Sequence, residues 1–233
     1  MAIHYFKWNG VSSSTKHIRV PNRIEIIRPE ERVKRITIPG RTGELTETEG
    51  DDIYNGYIQT VDISIDGLAN VHEAEAWLTG AGKVTFDCQP GFEQNARITG
   101  SLSLQKHSRN VDRWKGSVQF YCDPIKYDTT ETVQTVTTSG TTISNPGDMV
   151  AYPKIKITGS GAVTVGCGGN ILTIPDCTNG WIIDSENEWI LSGSTPVEKA
   201  CSGAFPILKK GSNTLTFTGS ITKLEVEKRI RYL

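Results

Sequence analysis

Four histidines, five cysteines and one acidic run are the residues of this 233-residue chain whose types could do chemistry. His4, His17, His72 and His107 fall in unrelated contexts, and none belongs to an H-E-x-x-H pair or stands beside a nucleophile motif. Each reads as a surface or packing residue. Cys88, Cys122, Cys167, Cys177 and Cys201 are odd in number and irregular in spacing, matching neither a zinc ligand pattern nor a paired disulfide framework. They read as reduced thiols, mostly buried; a Cys167 to Cys177 bridge is possible but unsupported. Glu44, Glu47, Glu49, Asp51 and Asp52 crowd the run ELTETEGDD. Carboxylates at that density can hold a divalent cation, but the EF-hand register is absent, so a solvated acidic loop is expected. No catalytic residue, metal site or cofactor follows from these groups.

The stretch before the acidic run is basic, and the two meet in RITIPGRTGEL, Arg35–Leu45. Glycines beside a cation can cradle phosphate, but a phosphate-binding loop needs four residues between its glycines and a Lys-Ser/Thr after them. Here only Arg41 and Thr42 separate Gly40 from Gly43, and Glu44 follows. The segment therefore predicts a turn between two strands, with the glycines supplying positive φ. A hairpin with opposite charges on its two arms can pair head to tail with a copy of itself, and such pairing builds rings when the rotation closes. The candidate ring contacts are Arg35, Pro39, Gly40, Arg41, Thr42, Gly43, Glu44, Glu47 and Glu49.

The elements that must position these residues are mostly strands. Val61, Ile63 and Ile65 alternate with Asp62, Ser64 and Asp66, as in a half-buried strand. In WKGSVQFYC, Trp114, Gly116, Val118, Phe120 and Cys122 share one face. Near the end, Leu224, Val226, Ile230 and Tyr232 oppose Glu225, Glu227, Arg229 and Arg231, which predicts one long strand with a charged outer face. Only NVHEAEAWL reads as a helix, with Val71, Ala74, Trp77 and Leu78 on one stripe, Asn70 as N-cap and Gly80 and Gly82 as its stop.

Length and charge bound the function classes. The chain exceeds the usual single domain, and 25 basic against 26 acidic residues leave no general field for a polyanion, so nucleic acid is not an expected partner. The amino terminus MAIHYFKWNGV lacks a leader pattern and no stretch approaches a membrane span, so synthesis as a soluble cytoplasmic chain without membrane insertion is expected. From Asp128 to Gly147 the chain turns Thr-rich and poor in large apolar residues. That shift divides it into domains at 1–130 and 148–233 with an exposed connector at 131–147 that has room for an edge strand. After the connector, short strand patterns recur between Gly and Asn turns, as in a β-sandwich. The expected fold class is mainly β: a β-rich α+β first domain with one short helix, then a sandwich.

In addition, the chain resembles, over nearly its whole length, the distal tail protein (Dit) family of long-tailed bacteriophages. ITIPGRTGEL is similar to the family's Pro-Gly-Arg-x-Gly hairpin, and WKGSVQFYCDPIKY to the run that closes its first domain. NPGDMVAYPKIKITGSG, WIIDSENEW and FPILKKGSNTLTFTG are similar to the opening, the Ile-Asp turn and the final hairpin of the second. The resemblance implies a ring-forming first domain and a galectin-like second one. Six copies would surround the tail axis of the virion, with the tail tube above and a tail-associated spike or lysin protein below. In many relatives receptor-binding proteins attach as well. A galectin-like domain also raises an alternative, a carbohydrate-binding module or adhesin component in which Trp181 or Trp189 stacks on host cell-wall polysaccharide.

Overall fold

The computed structural model describes residues 4–48, 50, 52–178, 180–197 and 201–233. The chain forms two compact units, one running up to Lys126 and joined by Leu233, the other spanning Tyr127–Tyr232. The fold is mainly β, as the two-residue periodicity predicts.

The first unit contains β1 (Phe6–Trp8), β2 (Val11–Ser12), β3 (Ile18–Arg19), β4 (Val33–Thr37), β5 (Glu44–Thr48), β6 (Tyr57–Asp66), α1 (Leu68–Trp77), β7 (Ala81–Phe86), β8 (Phe92–Ser108) and β9 (Val111–Asp128). Seven of these strands make one sheet in the order β2-β1-β7-β8-β9-β6-β3, while β4 and β5 pair only with each other. The β6–β9 register sets Val61 opposite Val118 and Ile63 opposite Gly116, so the apolar alternation of both strands points to one face. Val61, Ile63, Ile65, Val118, Phe120 and Cys122 are all buried there. Phe120 is the centre of this core, with the rings of Phe6, Trp8 and Phe86 at 5.2, 5.7 and 5.7 Å. Tilted and edge contacts of this kind add about 0.5–1.5 kcal/mol each beyond the area they bury.

Helix α1 covers this core with Val71 and Ala74, Leu78 just past its end adds to it, and Trp77 packs at its margin. Its start differs from the sequence expectation. Asn70 lies inside the helix and its Nδ2 donates to the Asp66 carbonyl at 2.7 Å, while the N-cap is Gly67, which has no side chain to offer. Instead the amide of Leu68 donates to Oδ2 of Asp112, on β9, at 3.2 Å. A distant carboxylate thus supplies the cap.

The second unit contains β10 (Gln134–Val136), β11 (Thr141–Asn145), β12 (Lys154–Cys167), β13 (Asn170–Cys177), β14 (Trp181–Asp184), β15 (Trp189–Ser192), β16 (Thr195–Pro196), β17 (Ser202–Gly203), β18 (Gly211–Glu227) and β19 (Arg231–Tyr232). β18 and β12 run side by side at the centre, with register shifts between Thr158 and Gly159 and between Ser160 and Thr164. The first half of β12, Lys154–Lys156, pairs on its other edge with β14, and the second half, from Val163, pairs with β13. The sheet therefore curls so that both halves face one core, which includes Ile155, Ile157, Val165, Ile174, Ile183 and Leu224. Gly159 sits at the bend, where a Cβ would collide with the Ser220 carbonyl oxygen. Any side chain there would push the two strands apart.

Two sequence expectations meet a different outcome in this unit. Within the stretch expected as an exposed connector with room for an edge strand, β10 is such a strand, but β11 pairs with β18 as well and Val136 and Ile143 are buried in the core. Their threonine neighbours face outward and conceal the two inward residues. The expected single last strand is also interrupted. β18 ends at Glu227, Arg229 takes a φ of +52°, and the chain resumes as β19. Arg229 is not on a charged outer face: its guanidinium reaches Asp184, which holds it.

Candidate functional site

The expected ring contacts form the hairpin β4–β5. Its register sets Val33 opposite Thr48, Lys34 opposite Glu47, Arg35 opposite Thr46, Ile36 opposite Leu45 and Thr37 opposite Glu44. Because neighbours along a strand point to opposite faces, Lys34, Ile36, Leu45 and Glu47 share one face and Arg35, Thr37, Glu44 and Thr46 the other. The turn is built as its glycines predict, with φ of +80° at Gly40 and +84° at Gly43, and the Arg41 amide donates to the Ile38 carbonyl at 3.1 Å. Pro39, Arg41 and Thr42 are exposed at this tip. Glu49 lies outside the described residues.

The charge layout is less one-sided than the sequence suggests. Lys34 meets Glu47 across the hairpin, so one pair of opposite charges faces each other within the same chain, a relation worth ~0.2–1 kcal/mol. Arg35, Arg41 and Glu44 have no charged residue opposite them in the register. All of β5 is exposed, and Ile38 and Leu45 keep 39% and 42% of their surface in solvent. A lone two-stranded hairpin is only marginally stable in water. This one carries apolar surface without a core of its own.

The other chemistry-bearing residues remain scattered. His4 is 2.6 Å from Asp87, His72 is 3.4 Å from Glu75, and no group of three or more His, Cys, Asp or Glu that could hold a metal ion occurs among the described residues. All five cysteines are free; Cys122, Cys167 and Cys177 are buried and Cys88 and Cys201 half-buried. Burial pushes the Cys122 thiol up to about 12 and also raises Tyr57 to about 12, although Tyr57 shares hydrogen bonds with Gln94. Neither group is poised for chemistry near neutrality. No helix among the described residues is long and apolar enough to cross a membrane. The two tryptophans of the sugar-binding alternative part company, since Trp181 is 5% exposed in the core and Trp189 is 54% exposed.

Sequence reasoning missed a polar cluster in the second unit. Arg229 donates to both oxygens of Asp184 and, at 3.2 Å, to Glu186. Asp184 also accepts from the amides of Glu186 and Asn187 and from the Asn187 side chain. Burial alone would raise the Asp184 carboxyl, but Arg229 and Asn187 outweigh it and hold the group below its ordinary value. The signal available in the sequence was the D-S-E-N-E turn, whose acidic residues need a cation that only folding brings.

A scan against protein-family models and a search of curated proteins each give no match. A search of solved structures finds the SPP1 Dit protein, whose crystal structure is described as a paradigm of the hub adsorption apparatus in phages that infect Gram-positive bacteria. The two proteins are 19% identical, and the likeness covers 100% of each chain with a TM-score of 0.75. Residue by residue the sequences have diverged widely, yet over its whole length this mainly β chain has the fold of SPP1 Dit.

Proposed function

We propose that this protein is a structural hub component of a bacteriophage tail tip, a distal tail protein that takes part in host attachment. The observation that carries the proposal is the full-length likeness to SPP1 Dit, a hub protein of an adsorption apparatus. In this reading the first domain, 1–130, closes a six-fold ring and the second, 148–233, is a galectin-like sandwich that presents surface to partners. The ring joins the tail tube to a spike or lysin protein and to receptor-binding proteins, and the protein has no catalytic role. It is made in the bacterial cytoplasm and ends in the virion.

The hairpin supports the ring. Each subunit of a closed ring needs two different surfaces that fit one another. A ribbon that stands apart from the main sheet and exposes Ile38, Leu45, Arg35, Arg41 and Glu44 suits one of them. Cohesion then comes from apolar burial and strand contacts, because exposed ion pairs contribute only ~0–1 kcal/mol, and the charges choose register. Electron microscopy of intact tails labelled with antibody against this chain tests the proposal. Label at the tip is expected; label on the capsid or tube shaft with a bare tip would sink it.

A further inference from the structure

Strand β8 has a neighbour along only part of one edge. It lies between β7 and β9, and its register with β7 ends at the pair Ala81–Arg97, followed by one bond from the Ile98 amide to the Gly80 carbonyl. Just past that point the chain turns at Gly100, φ +71°. From Ser101 to Ser108 the edge then runs on with no neighbouring strand among the described residues, and without a proline. Such an edge presents a row of unpaired amides and carbonyls, a template for another strand.

The hairpin β4–β5 is the converse, a strand pair without a sheet. It is anchored beside the start of β6, where the Arg32 amide donates to the Ile53 carbonyl and the Asn55 amide to the Glu30 carbonyl. In the order β8-β9-β6-β3 the anchor lies on one side of β9 and the open edge of β8 on the other. Two strands separate the hairpin from that edge in its own chain, whereas a second copy placed head to tail brings its hairpin there. Contacts of this heterologous kind are what a closed ring repeats.

The side chains match as well. Leu102, Leu104 and Lys106 alternate onto one face of β8, with both leucines half-buried against the core. Leu45 and Glu47 share one face of β5, and Ile36 stands opposite Leu45 on β4. Because Leu-x-Lys and Leu-x-Glu have the same spacing, parallel strands set Leu45 beside Leu104 and Glu47 beside Lys106. Ile36 then continues the apolar row. Lys106 has a surface contact to Asp112 at 3.8 Å, and His107 and Arg109 next to it are exposed. The acidic arm β5 complements this basic end, while β4, with Lys34 and Arg35, would bring like charge to it.

We propose that the open edge of β8 receives strand β5 of a second copy of this chain, parallel and with those two pairs side by side. This rests on the reading of the protein as a ring-forming hub, and it supplies the surface into which the next subunit's hairpin fits. Backbone bonds hold the added strand, as in other cases of strand addition, and the charges set its register.

Disulfide trapping tests the contact, since neighbouring strands lie about 4.7–4.9 Å apart, within the span of a disulfide. Tails assembled with the full chain carrying both Leu45→Cys and Leu104→Cys are oxidised with copper phenanthroline and run on a non-reducing gel. A second pair, Thr46→Cys with Gln105→Cys, probes the outer face of the same register. Each double variant is expected to give dimers and higher multiples that wild type and the single variants lack, with mass spectrometry placing the bridge between the two altered positions. No multiples from either pair, in a phage whose tail tips carry the wild-type chain, overturns the proposal and leaves the hub reading standing. A bridge closed within one chain, with only a monomer band, also overturns it. Tips that lack the wild-type chain overturn both.

Discussion

Arg229 and Asp184 form a two-pronged ion pair, Nη1 to Oδ1 at 2.8 Å and Nη2 to Oδ2 at 3.3 Å, with the carboxylate side chain only 8% exposed. Removing one partner of a buried pair strands the other, at a cost of about 3–5 kcal/mol when burial is complete. Arg229 keeps 20% exposure, so Asp184→Ala is expected to destabilise the protein by ~2–3 kcal/mol in urea denaturation. A loss below ~0.5 kcal/mol would show that solvent already screens the pair.

The same pair sets an acid limit. Asp184 titrates lower in the folded protein than its ordinary 3.8, so the unfolded chain binds the proton more readily. Its contribution is complete above the ordinary value and is lost as pH falls from there through the lowered folded value. Wild type and Asp184→Asn should therefore converge in stability as pH drops from 5 toward 2. Stability curves that stay parallel across that range would remove the linkage.

Asp112→Ala should cost about 1 kcal/mol, the usual worth of a helix N-cap, even though it lies 44 residues from the Leu68 amide that it accepts. The change also frees Trp114 Nε1, which donates to Oδ1 of the same carboxylate at 3.1 Å. Far-UV circular dichroism during denaturation reads the effect, and Asp112→Asn should recover part of it.

Thiol accessibility separates the cysteines. At neutral pH a maleimide should label only the half-buried Cys88 and Cys201 in the native protein, and slowly, because burial raises both thiols. Cys122, Cys167 and Cys177 should react only after denaturation. Mass spectrometry of the labelled peptides checks this, and rapid native labelling of Cys122 would contradict its burial.

Hairpin variants should separate assembly from folding. Leu45→Asp and Arg41→Glu change exposed residues outside the main sheet, so melting of the single chain should move by less than ~0.5 kcal/mol. Ring assembly on tails should fall in both, and for Arg41→Glu the loss should be greatest at low salt, where screening is weakest. Full incorporation of Leu45→Asp at tail tips would remove the hairpin from the ring contact.

What the sequence made legible was local. Alternation in β6 and β9, the apolar stripe of α1 and the glycine turn at Gly40 and Gly43 depend on neighbours within a few residues, and each appears where the pattern puts it. What stayed hidden depended on residues brought together only by folding. Asp112 caps a helix that precedes it by a strand and more, Lys34 finds Glu47 through the register, and Arg229 turns inward because Asp184 waits there. The Thr-rich run before Gly147 misled for a related reason: one buried apolar residue per short strand, Val136 and Ile143, leaves too little pattern to read.

The bend of β12 and β18 has a bearing on how the second unit comes apart. Since both strands run unbroken from one half of the curled sheet into the other, neither half owns its own hydrogen-bond ladder. Opening one half must strain the shared strands through the bend at Gly159, so partial opening gains little freedom for the contacts it gives up. Amide hydrogens on the two sides of the fold should then exchange with solvent together, as one cooperative block, rather than layer by layer.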